Sequence, residues 1–552
     1  MPTIATRNFV LVAVASGLLV ACGGGGSGGG GDDGGGTTPP PAVPVTISGR
    51  ATFDLVPHDR VTGALDFAST FREPVRGATV QLVDASNGVL ATGVTDDSGR
   101  YAVDTSSAGD LRIRILAERR RAGAPGWNTR VADNTASGSP TYALETPVFQ
   151  TGGADVVRDV HAPSGWDGGS YAGPRLAAPF ALLDAVREAE ARILQVAPET
   201  TFPALQLNWS PANTPSSVFV PFSGRIVTTF YDIDVGGRIW VLGDEAVDTD
   251  EFDRHVIIHE WSHYYEDNFS RVDSPGGRHS RSARHDLRVA FSEGWGNAFA
   301  AMAQDDPDYV DTARPGSSLG IFRFLVGSPS PVPGWYSEAS VERLLWNFYD
   351  AANDGLDVLT LGYGPIDAVL RGPQRNTRAQ TSIYTFIGAL KAAEPARAAA
   401  IDALAEAENI VSSGQDIWGS AETNDAGRDH VLPLYTEVFV DGPAVNVCSV
   451  ATSTIDVFNR IGNRRLLRFT AASAGRFAFE VRGSAGSDPD LVIWNGGEDS
   501  VAESRLDGIE TREQDLPAGE HVLEVYDYRN IDPGATDVPG TYCFDVTVRR
   551  VR

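Results

Sequence analysis

The spacing of apolar residues changes twice along the chain and divides it into three regions. In the first and last regions, short apolar runs alternate with polar residues between Gly, Asn and Asp, which predicts β-strands. In the middle region, apolar residues often recur every three or four positions, which predicts helices. One predicted helix ends near Asn268. The other predicted helices are Pro174–Val196, Asp286–Met302, Glu338–Asp350, Ala379–Ala393 and Ala396–Ile410.

The predicted strands are shorter than the helices and occur in all three regions. In the first region they are Val45–Phe53, Ala78–Asp84, Leu90–Thr95 and Tyr101–Asp104. In the middle region they are Pro203–Trp209, Ser217–Phe222, Ile226–Tyr231 and Gly237–Leu242. In the last region they are Leu466–Phe469, Arg476–Val481, Asp490–Trp494, Glu520–Val525 and Tyr542–Val548. The chain is therefore predicted to be multidomain.

The first 44 residues are predicted to carry a signal and a spacer. In residues 1–22, Arg7 is followed by the apolar run Phe9–Val20, which is typical of a signal peptide. This segment ends in Leu-Val-Ala-Cys22, which resembles a bacterial lipobox. The resemblance implies cleavage before Cys22 and lipidation of that residue, with ordinary secretion as the alternative. Residues 23–44 are rich in Gly and then Pro, which predicts a tether. We expect a lipid-anchored protein of the bacterial cell envelope that faces the periplasm or the exterior.

Charge and cysteine content narrow the classes of partner. The net charge is −27 and the pI is near 4.7, which argues against nucleic-acid binding because that function needs a basic patch. Beyond the N-terminus there is no run of about 18 apolar residues, so membrane contact is expected through the lipid anchor only. In an exported protein, Cys448 and Cys543 predict one disulfide, with two unpaired structural cysteines as the alternative.

The segment His259-Glu-Trp-Ser-His263 carries the clearest chemical signal. Its helix is predicted to begin with Asp248 or Thr249 as the cap. Histidines four residues apart project from one face of a helix, so this pair can hold a zinc ion. Glu260 can then reach a metal-activated water as general base. The alternative is a pair of buried, hydrogen-bonded structural histidines.

A second predicted helix, Asp286–Met302, carries Glu293 with Gly294 and Gly296 close by. Small residues there allow another helix, or a metal, to approach closely. A carboxylate on an apolar stretch needs a partner, and a zinc ion held by two histidines would be that partner, with one position left open for water. Asn297 lies one turn further and is placed to accept a hydrogen bond from a ligand imidazole.

The insert between these two helices, residues 270–288, is rich in Arg although the whole chain is acidic. We expect a solvated loop paired with local acids, or a patch that recognises a substrate carboxylate. His279 and His285 within it are alternative metal ligands.

Together the two motifs resemble the gluzincin metallopeptidases, most of all the thermolysin/fungalysin branch. The resemblance is specific over residues 252–302 and extends as a domain over roughly residues 166–435. It implies an α+β core that binds one Zn²⁺ per chain, with Glu260 as the catalytic base. The zinc ligands that it implies are His259, His263 and Glu293. The branch usually has Asp where this chain has Asn297, which can still accept the hydrogen bond but carries no charge.

The same resemblance implies a peptide or protein substrate and a residue that steadies the oxyanion. The candidates for that residue, from a second lobe over residues 308–435, are Tyr336, Tyr349 and His430. We favour His430 because it is the lobe's only histidine. In the resembled family, a strand at Gly237–Leu242 forms the sheet edge on which an extended peptide lies. An ordinary core strand is the alternative.

The flanking regions resemble two other domain families. The first region resembles the carboxypeptidase-regulatory or transthyretin-like β-sandwich through Pro74–Asp84 and Thr95–Val103. The last region resembles the bacterial pre-peptidase C-terminal domain through Ser487–Trp494, Leu516–Val522 and Gly540–Tyr542. The expected fold is thus a thermolysin-like metallopeptidase core, residues 166–438, flanked by all-β sandwiches at residues 45–165 and 439–552.

These observations favour an exported zinc-dependent endopeptidase. One alternative is a surface binding or adhesion lipoprotein with an inactive peptidase-like domain, although such a domain has no reason to keep Glu260. A second alternative is a zinc hydrolase that acts on other bonds.

Overall fold

The computed structural model describes residues 44–107, 109–316, 320–352, 358–451, 457–496, 498–502, 508–532 and 540–551. The predictions for the signal peptide, Cys22 and almost all of the tether fall outside the described residues. The described residues belong to one compact unit, Pro44–Arg552. None of the helices in these ranges has the length and apolarity needed to cross a membrane.

The described residues of the first region form strands, as its alternating pattern predicts, together with one 3₁₀ turn at Phe67–Ser69. Its strands are β1 (Val45–Leu55), β2 (Phe71–Pro74), β3 (Ala78–Asp84), β4 (Val89–Val94), β5 (Arg100–Thr105), β6 (Leu111–Arg121), β7 (Trp127–Asp133), β8 (Ala143–Glu145), β9 (Val156–Val157) and β10 (Val160–Ala162). Strand β1 is central to one sheet, where it pairs with β2, β5, β9 and β10. Its alternate residues are buried, which fixes the register of these pairs.

The middle region contains the α-helices α1 (Ala178–Val196), α2 (Arg254–Phe269), α3 (Leu287–Gln304), α4 (Glu338–Tyr349), α5 (Tyr363–Val369), α6 (Ile383–Ala393) and α7 (Ala398–Ala407). Its strands are β11 (Leu205–Trp209), β12 (Thr214–Pro215), β13 (Arg225–Ile226), β14 (Phe230–Tyr231), β15 (Arg238–Val241), β16 (Gly243–Asp244), β17 (Asp248–Thr249), β18 (Asp308–Asp311), β19 (Phe322–Leu325) and β20 (Tyr435–Glu437). Every residue of α3 from Leu287 to Ala303 is buried, so this helix forms the centre of the region.

Strand β7 connects the first region to the middle one. It pairs antiparallel with β6 and parallel with β11, where Leu205 lies opposite Thr129 and Trp209 opposite Asp133. The sheet runs in the order β14-β15-β11-β7-β6-β3-β4 and so crosses the predicted boundary after residue 165. The two regions share this sheet and one hydrophobic core.

The last region is a sandwich of two antiparallel-rich sheets. Its strands are β21 (Val445–Val450), β22 (Arg464–Ala471), β23 (Gly475–Gly483), β24 (Pro489–Asn495), β25 (Glu498–Ala502), β26 (Ile509–Leu516), β27 (Gly519–Asp527) and β28 (Thr541–Arg550). The sheets have the orders β20-β22-β27-β24-β25 and β21-β28-β23-β26. Apolar side chains of both form a core of their own. The predicted disulfide is confirmed: Cys448 of β21 is bonded to Cys543 of β28.

Three local predictions are wrong. The predicted strand Ile226–Tyr231 is two separate strands, β13 and β14, which belong to different sheets. A tertiary contact explains the second case, and the local chemistry of proline explains the third. The helix that carries the two histidines begins at Arg254, whereas Asp248 and Thr249 form a short strand. The preceding Asp253 carboxylate does not cap the helix, because it accepts hydrogen bonds from Thr312. The predicted strand Ser217–Phe222 is instead irregular chain that ends in a 3₁₀ turn over Pro221–Ser223, where Pro supplies no N–H for a ladder.

The strand predicted to form the sheet edge, Gly237–Leu242, is the second strand from that edge. Strand β15 pairs with β11 on one side, and on the other its residues Ile239 and Trp240 lie opposite Tyr231 and Phe230 of β14. Along this path, β14 is therefore the last of the described strands. A peptide that extends the sheet would pair with β14 rather than with β15.

Candidate metal centre

Helices α2 and α3 bring the two predicted motifs together. His259 and His263 lie one turn apart on α2, and their Nε2 atoms are 3.1 Å from each other. The Oε2 atom of Glu293, in the middle of α3, lies 3.3 Å from the Nε2 of His259 and 3.4 Å from the Nε2 of His263. Three donor atoms from two helices thus converge on one point.

These distances test whether a zinc ion fits. In a tetrahedral zinc site, bonds of about 2.0–2.1 Å place neighbouring donor atoms about 3.3 Å apart. The three separations, 3.1, 3.3 and 3.4 Å, agree with that value. Two imidazoles and one carboxylate are also the donor set of many catalytic zinc sites. The residues present fit a zinc ion.

Two glycines of α3 allow this convergence. A Cβ atom on Gly296 would lie only 2.6 Å from Cε1 and 2.9 Å from Nε2 of His259, so the imidazole occupies the space that a side chain would take. A Cβ atom on Gly294 would meet Val341 at 2.6 Å and the Glu338 carbonyl oxygen at 2.7 Å, both on α4. The prediction that small residues here allow close approach is confirmed.

Gly296→Ala is therefore expected to displace the His259 imidazole and to weaken zinc binding by roughly tenfold or more, with the fold retained. Competition with a chromophoric chelator measures the affinity. Gly388→Ala on helix α6 is the matched control. Its Cβ atom would lie 3.6 Å from the Ile417 side chain, which is an ordinary van der Waals distance. Equal zinc affinities of the two variants would contradict this assignment of His259.

Neighbouring polar groups fix the orientation of both histidines. Nδ1 of His259 lies 3.0 Å from Oδ1 of Asn297, as predicted, which favours a proton on Nδ1 and leaves Nε2 free to bind a metal. Asn297 in turn donates to Glu342, which Arg281 holds at 2.6 Å. Burial raises the pKa of Glu342 to about 8 despite the neighbouring Arg281.

His263 has a similar support that the sequence did not predict. Its Nδ1 lies 3.3 Å from the Ser292 hydroxyl, which donates to Glu266 at 2.7 Å. Glu266 follows His263 by three residues, and this spacing, which places a carboxylate on the same helical face, was the available sequence signal. Both histidines are held through their second nitrogen.

The charge of Glu293 depends on its histidine neighbours. Burial alone raises the pKa of this carboxyl, but the adjacent His279 and His263 hold its pKa well below the usual range. Burial lowers the pKa of His263, while Glu293 raises it well above the usual range. In this cluster Glu293 is favoured as the anion and His263 as the cation.

Glu260 lies at the edge of the sheet. Its Oε2 accepts a hydrogen bond from the backbone N–H of Tyr231 at 2.8 Å, and Tyr231 belongs to the terminal strand β14. The Tyr231 hydroxyl donates to Asp267 of α2 at 2.7 Å, which fixes the strand against the helix. The candidate base therefore lies beside β14, the outermost described strand on this side of the sheet.

Of the three residues proposed to steady an oxyanion, the two tyrosines make their polar contacts away from the metal-binding donors. The Tyr336 hydroxyl donates to the Pro333 carbonyl oxygen at 3.1 Å, and the Tyr349 hydroxyl donates to Asp305. His430 lies exposed in a turn with φ of 67°. No hydrogen bond or ion pair found in the described ranges connects any of the three to Glu293 or to its two histidines.

The two histidines of the insert, His279 and His285, have different neighbours. Nε2 of His279 lies 3.2 Å from Oε2 of Glu293, whereas His285 is fully buried and its Nδ1 lies 2.7 Å from Nη1 of Arg460. A guanidinium so close disfavours a cation at His285. The sequence named both histidines as alternatives, and the structure brings only His279 to the metal centre.

No protein-family model matches the chain, and no curated protein matches it. Several solved structures match parts of it. The pre-peptidase C-terminal domain of a collagenase from Bacillus anthracis is 15% identical and covers 20% of this chain and 94% of its own, with a TM-score of 0.16. The surface-associated copper-binding protein CorA of Methylomicrobium album BG8 is 6% identical and covers 21% and 98%, with a TM-score of 0.15. A 9R-lipoxygenase from Cyanothece PCC8801 is 15% identical and covers 30% and 25%, with a TM-score of 0.13.

Proposed function

We propose that the protein is a zinc-dependent endopeptidase of the bacterial cell envelope. The observation that supports this most strongly is the convergence of His259, His263 and Glu293 at the separations of a tetrahedral zinc site. Glu260 adjoins this site on the same helix. The function rests on these residues, because the likenesses to solved structures are partial.

When bound there, Zn²⁺ supplies a Lewis acid and lowers the pKa of a water molecule. The chain's own carboxylate, Glu260, then accepts a proton from the attacking water and delivers it to the leaving amine nitrogen. Its position beside the backbone of Tyr231 keeps it close to a substrate on β14. One residue thus performs both proton transfers.

The terminal strand β14 is the proposed position of the substrate backbone. An extended peptide adds to a sheet edge through main-chain hydrogen bonds, which are independent of side-chain identity. Glu260 and the convergent donors lie on α2 and α3, next to this edge. This arrangement favours an unfolded or extended peptide substrate over a small molecule.

We also propose a family for the core and for the last region, and a lipid anchor for the N-terminal segment. The zinc motifs and Asn297 support a core like that of the thermolysin/fungalysin branch. The sandwich of residues 439–552, with its single disulfide, suits a domain like the pre-peptidase C-terminal domain. The sequence around Cys22 supports a lipid anchor, which would hold the enzyme at a membrane surface.

The protein expressed without residues 1–22 is expected to cleave casein. Chelation with 1,10-phenanthroline should abolish cleavage, and one equivalent of Zn²⁺ should restore it, because the proposed chemistry requires the ion. Cleavage that persists after all zinc has been removed would contradict the proposal. Zinc-loaded protein that cleaves no unfolded protein would favour the alternative, a binding lipoprotein with an inactive domain.

A further inference from the structure

The loop between α2 and α3 brings a third imidazole to the metal centre. Nε2 of His279 lies 3.2 Å from Oε2 of Glu293, the same oxygen that the other two histidines approach. The donor atoms of His259, His279 and Glu293 all lie within 4.8 Å of one another. The rings of His259 and His279 are nearly parallel, 5° apart, with centroids separated by 6.2 Å.

The other nitrogen of His279 is held as those of metal-binding histidines commonly are. Its Nδ1 lies 2.9 Å from Oε2 of Glu338, the first residue of α4. A carboxylate on the second imidazole nitrogen orients the ring and increases the basicity of the first. His279 therefore matches His259 and His263 in both respects: Nε2 faces Glu293, and Nδ1 has its own polar partner.

The last region holds this loop in place. Nδ2 of Asn459 donates to the carbonyl oxygens of Gly276 and Arg278, both at 2.9 Å. The Asn459 carbonyl oxygen accepts from the N–H of Asp286 at 2.9 Å, at the other end of the loop. Asn459 is fully buried, whereas the loop residues Gly276 and Arg278 that it holds are half-buried and exposed.

Phe458 adds a packing contact beside these hydrogen bonds. Its ring lies so close to Gly277 that a Cβ atom there would be 2.0 Å from it. The φ of Gly277 is +95°, a conformation that favours glycine. The backbone on either side of His279 is thus shaped by residues about 180 positions later in the chain.

We propose that His279 is a fourth protein ligand that closes the metal site in the resting protein, and that Phe458 and Asn459 hold it there. This inference rests on the proposed function. Zinc sites with four protein ligands are closed, whereas catalytic sites keep one position open. Displacement of the sandwich segment would release the loop and free the fourth position. The last region would then control whether the fourth coordination position is open.

Cobalt substitution tests the coordination independently of cleavage. The protein without residues 1–22 is loaded with Co²⁺, and its visible spectrum and Zn²⁺ affinity are compared with those of His279→Ala, Asn459→Ala and the control Ser282→Ala. Ser282 is an exposed residue of the same loop. We expect His279→Ala to change the Co²⁺ spectrum, to weaken Zn²⁺ binding by roughly tenfold or more and to increase the rate of casein cleavage at saturating zinc. Asn459→Ala should change all three in the same direction, and Ser282→Ala none.

Each contrary result overturns a defined part of the proposal. An unchanged Co²⁺ spectrum and an unchanged zinc affinity in His279→Ala would show that His279 is not a ligand. If cleavage then also fell about a hundredfold, His279 would act on the substrate instead. Normal spectra for Asn459→Ala, with altered spectra for His279→Ala, would show that His279 is a ligand but that Asn459 does not hold it in place. A wild type that binds no metal would refute the proposed function itself.

Discussion

Glu260→Gln is expected to abolish casein cleavage while zinc remains bound. The substitution keeps the shape of the side chain but removes its ability to accept a proton from water. General-base catalysis contributes roughly 10²–10⁴-fold to rates, so kcat should fall by about that factor. His259, His263 and Glu293 are unchanged in the variant, so its zinc content should equal that of the wild type. Metal analysis and a cleavage assay on the same preparation measure both quantities.

Glu406→Gln is the matched control for this experiment. Glu406 is an exposed carboxylate on α7, and the same substitution there should change neither zinc content nor kcat. If Glu260→Gln cleaved casein at the wild-type rate, Glu260 would not be the base. If Glu260→Gln lost its zinc, the loss of cleavage would instead report damage to the metal site.

The second large effect concerns stability. Glu524→Ala is expected to lower the free energy of unfolding by roughly 3 kcal/mol, because it removes one of the two carboxylates that surround the buried Arg288 guanidinium and leaves it with Asp286 alone. Glu524 of β27 is fully buried, and its Oε2 lies 2.7 Å from Nη1 of Arg288 at the start of α3. Arg464 also contacts Glu524, at 2.5 Å. The network ties the last region to the helix that carries Glu293.

Urea unfolding of the two proteins measures this difference. Glu480→Ala is the control, because Glu480 forms an exposed ion pair with Arg482, and such pairs contribute about 1 kcal/mol or less. A Glu524→Ala variant as stable as the control would show that water reaches Arg288 or that the sandwich is not docked on α3.

The same network predicts a pH dependence. Burial raises the pKa of Glu524, but Arg288 and Arg464 outweigh it and lower that pKa from 4.5 to about 2. Because the folded-state pKa is depressed, this contribution to stability is complete above pH 4.5 and is lost as the pH falls towards 2. The wild type should therefore lose more stability than Glu524→Ala over that interval.

Local sequence pattern was sufficient to predict which residues of α2 and α3 converge at the candidate metal centre. The spacing of His259 and His263 and the isolated carboxylate of Glu293 each have a local reason, namely helix geometry and the cost of a buried charge. The close approach through Gly296 follows from the same reasoning. These predictions needed no knowledge of distant parts of the chain.

The remaining features depend on contacts between distant segments. His279 lies beside Glu293 on a loop that contacts Phe458 and Asn459, and no periodic pattern within the loop encodes these contacts. His430 was favoured only as the lobe's sole histidine, and its exposed turn was not evident from the sequence. The continuous sheet across residue 165 likewise depends on the parallel pairing of β7 with β11, which a strand pattern alone does not specify.

The most direct test of the central claim is the zinc content of the purified protein without residues 1–22, measured by metal analysis after gel filtration. We expect one zinc ion per chain in the wild type and none in the double variant His259→Ala, His263→Ala. A wild-type protein that retains no zinc, or a double variant that retains one ion per chain, would show that these helix histidines are structural and do not bind zinc.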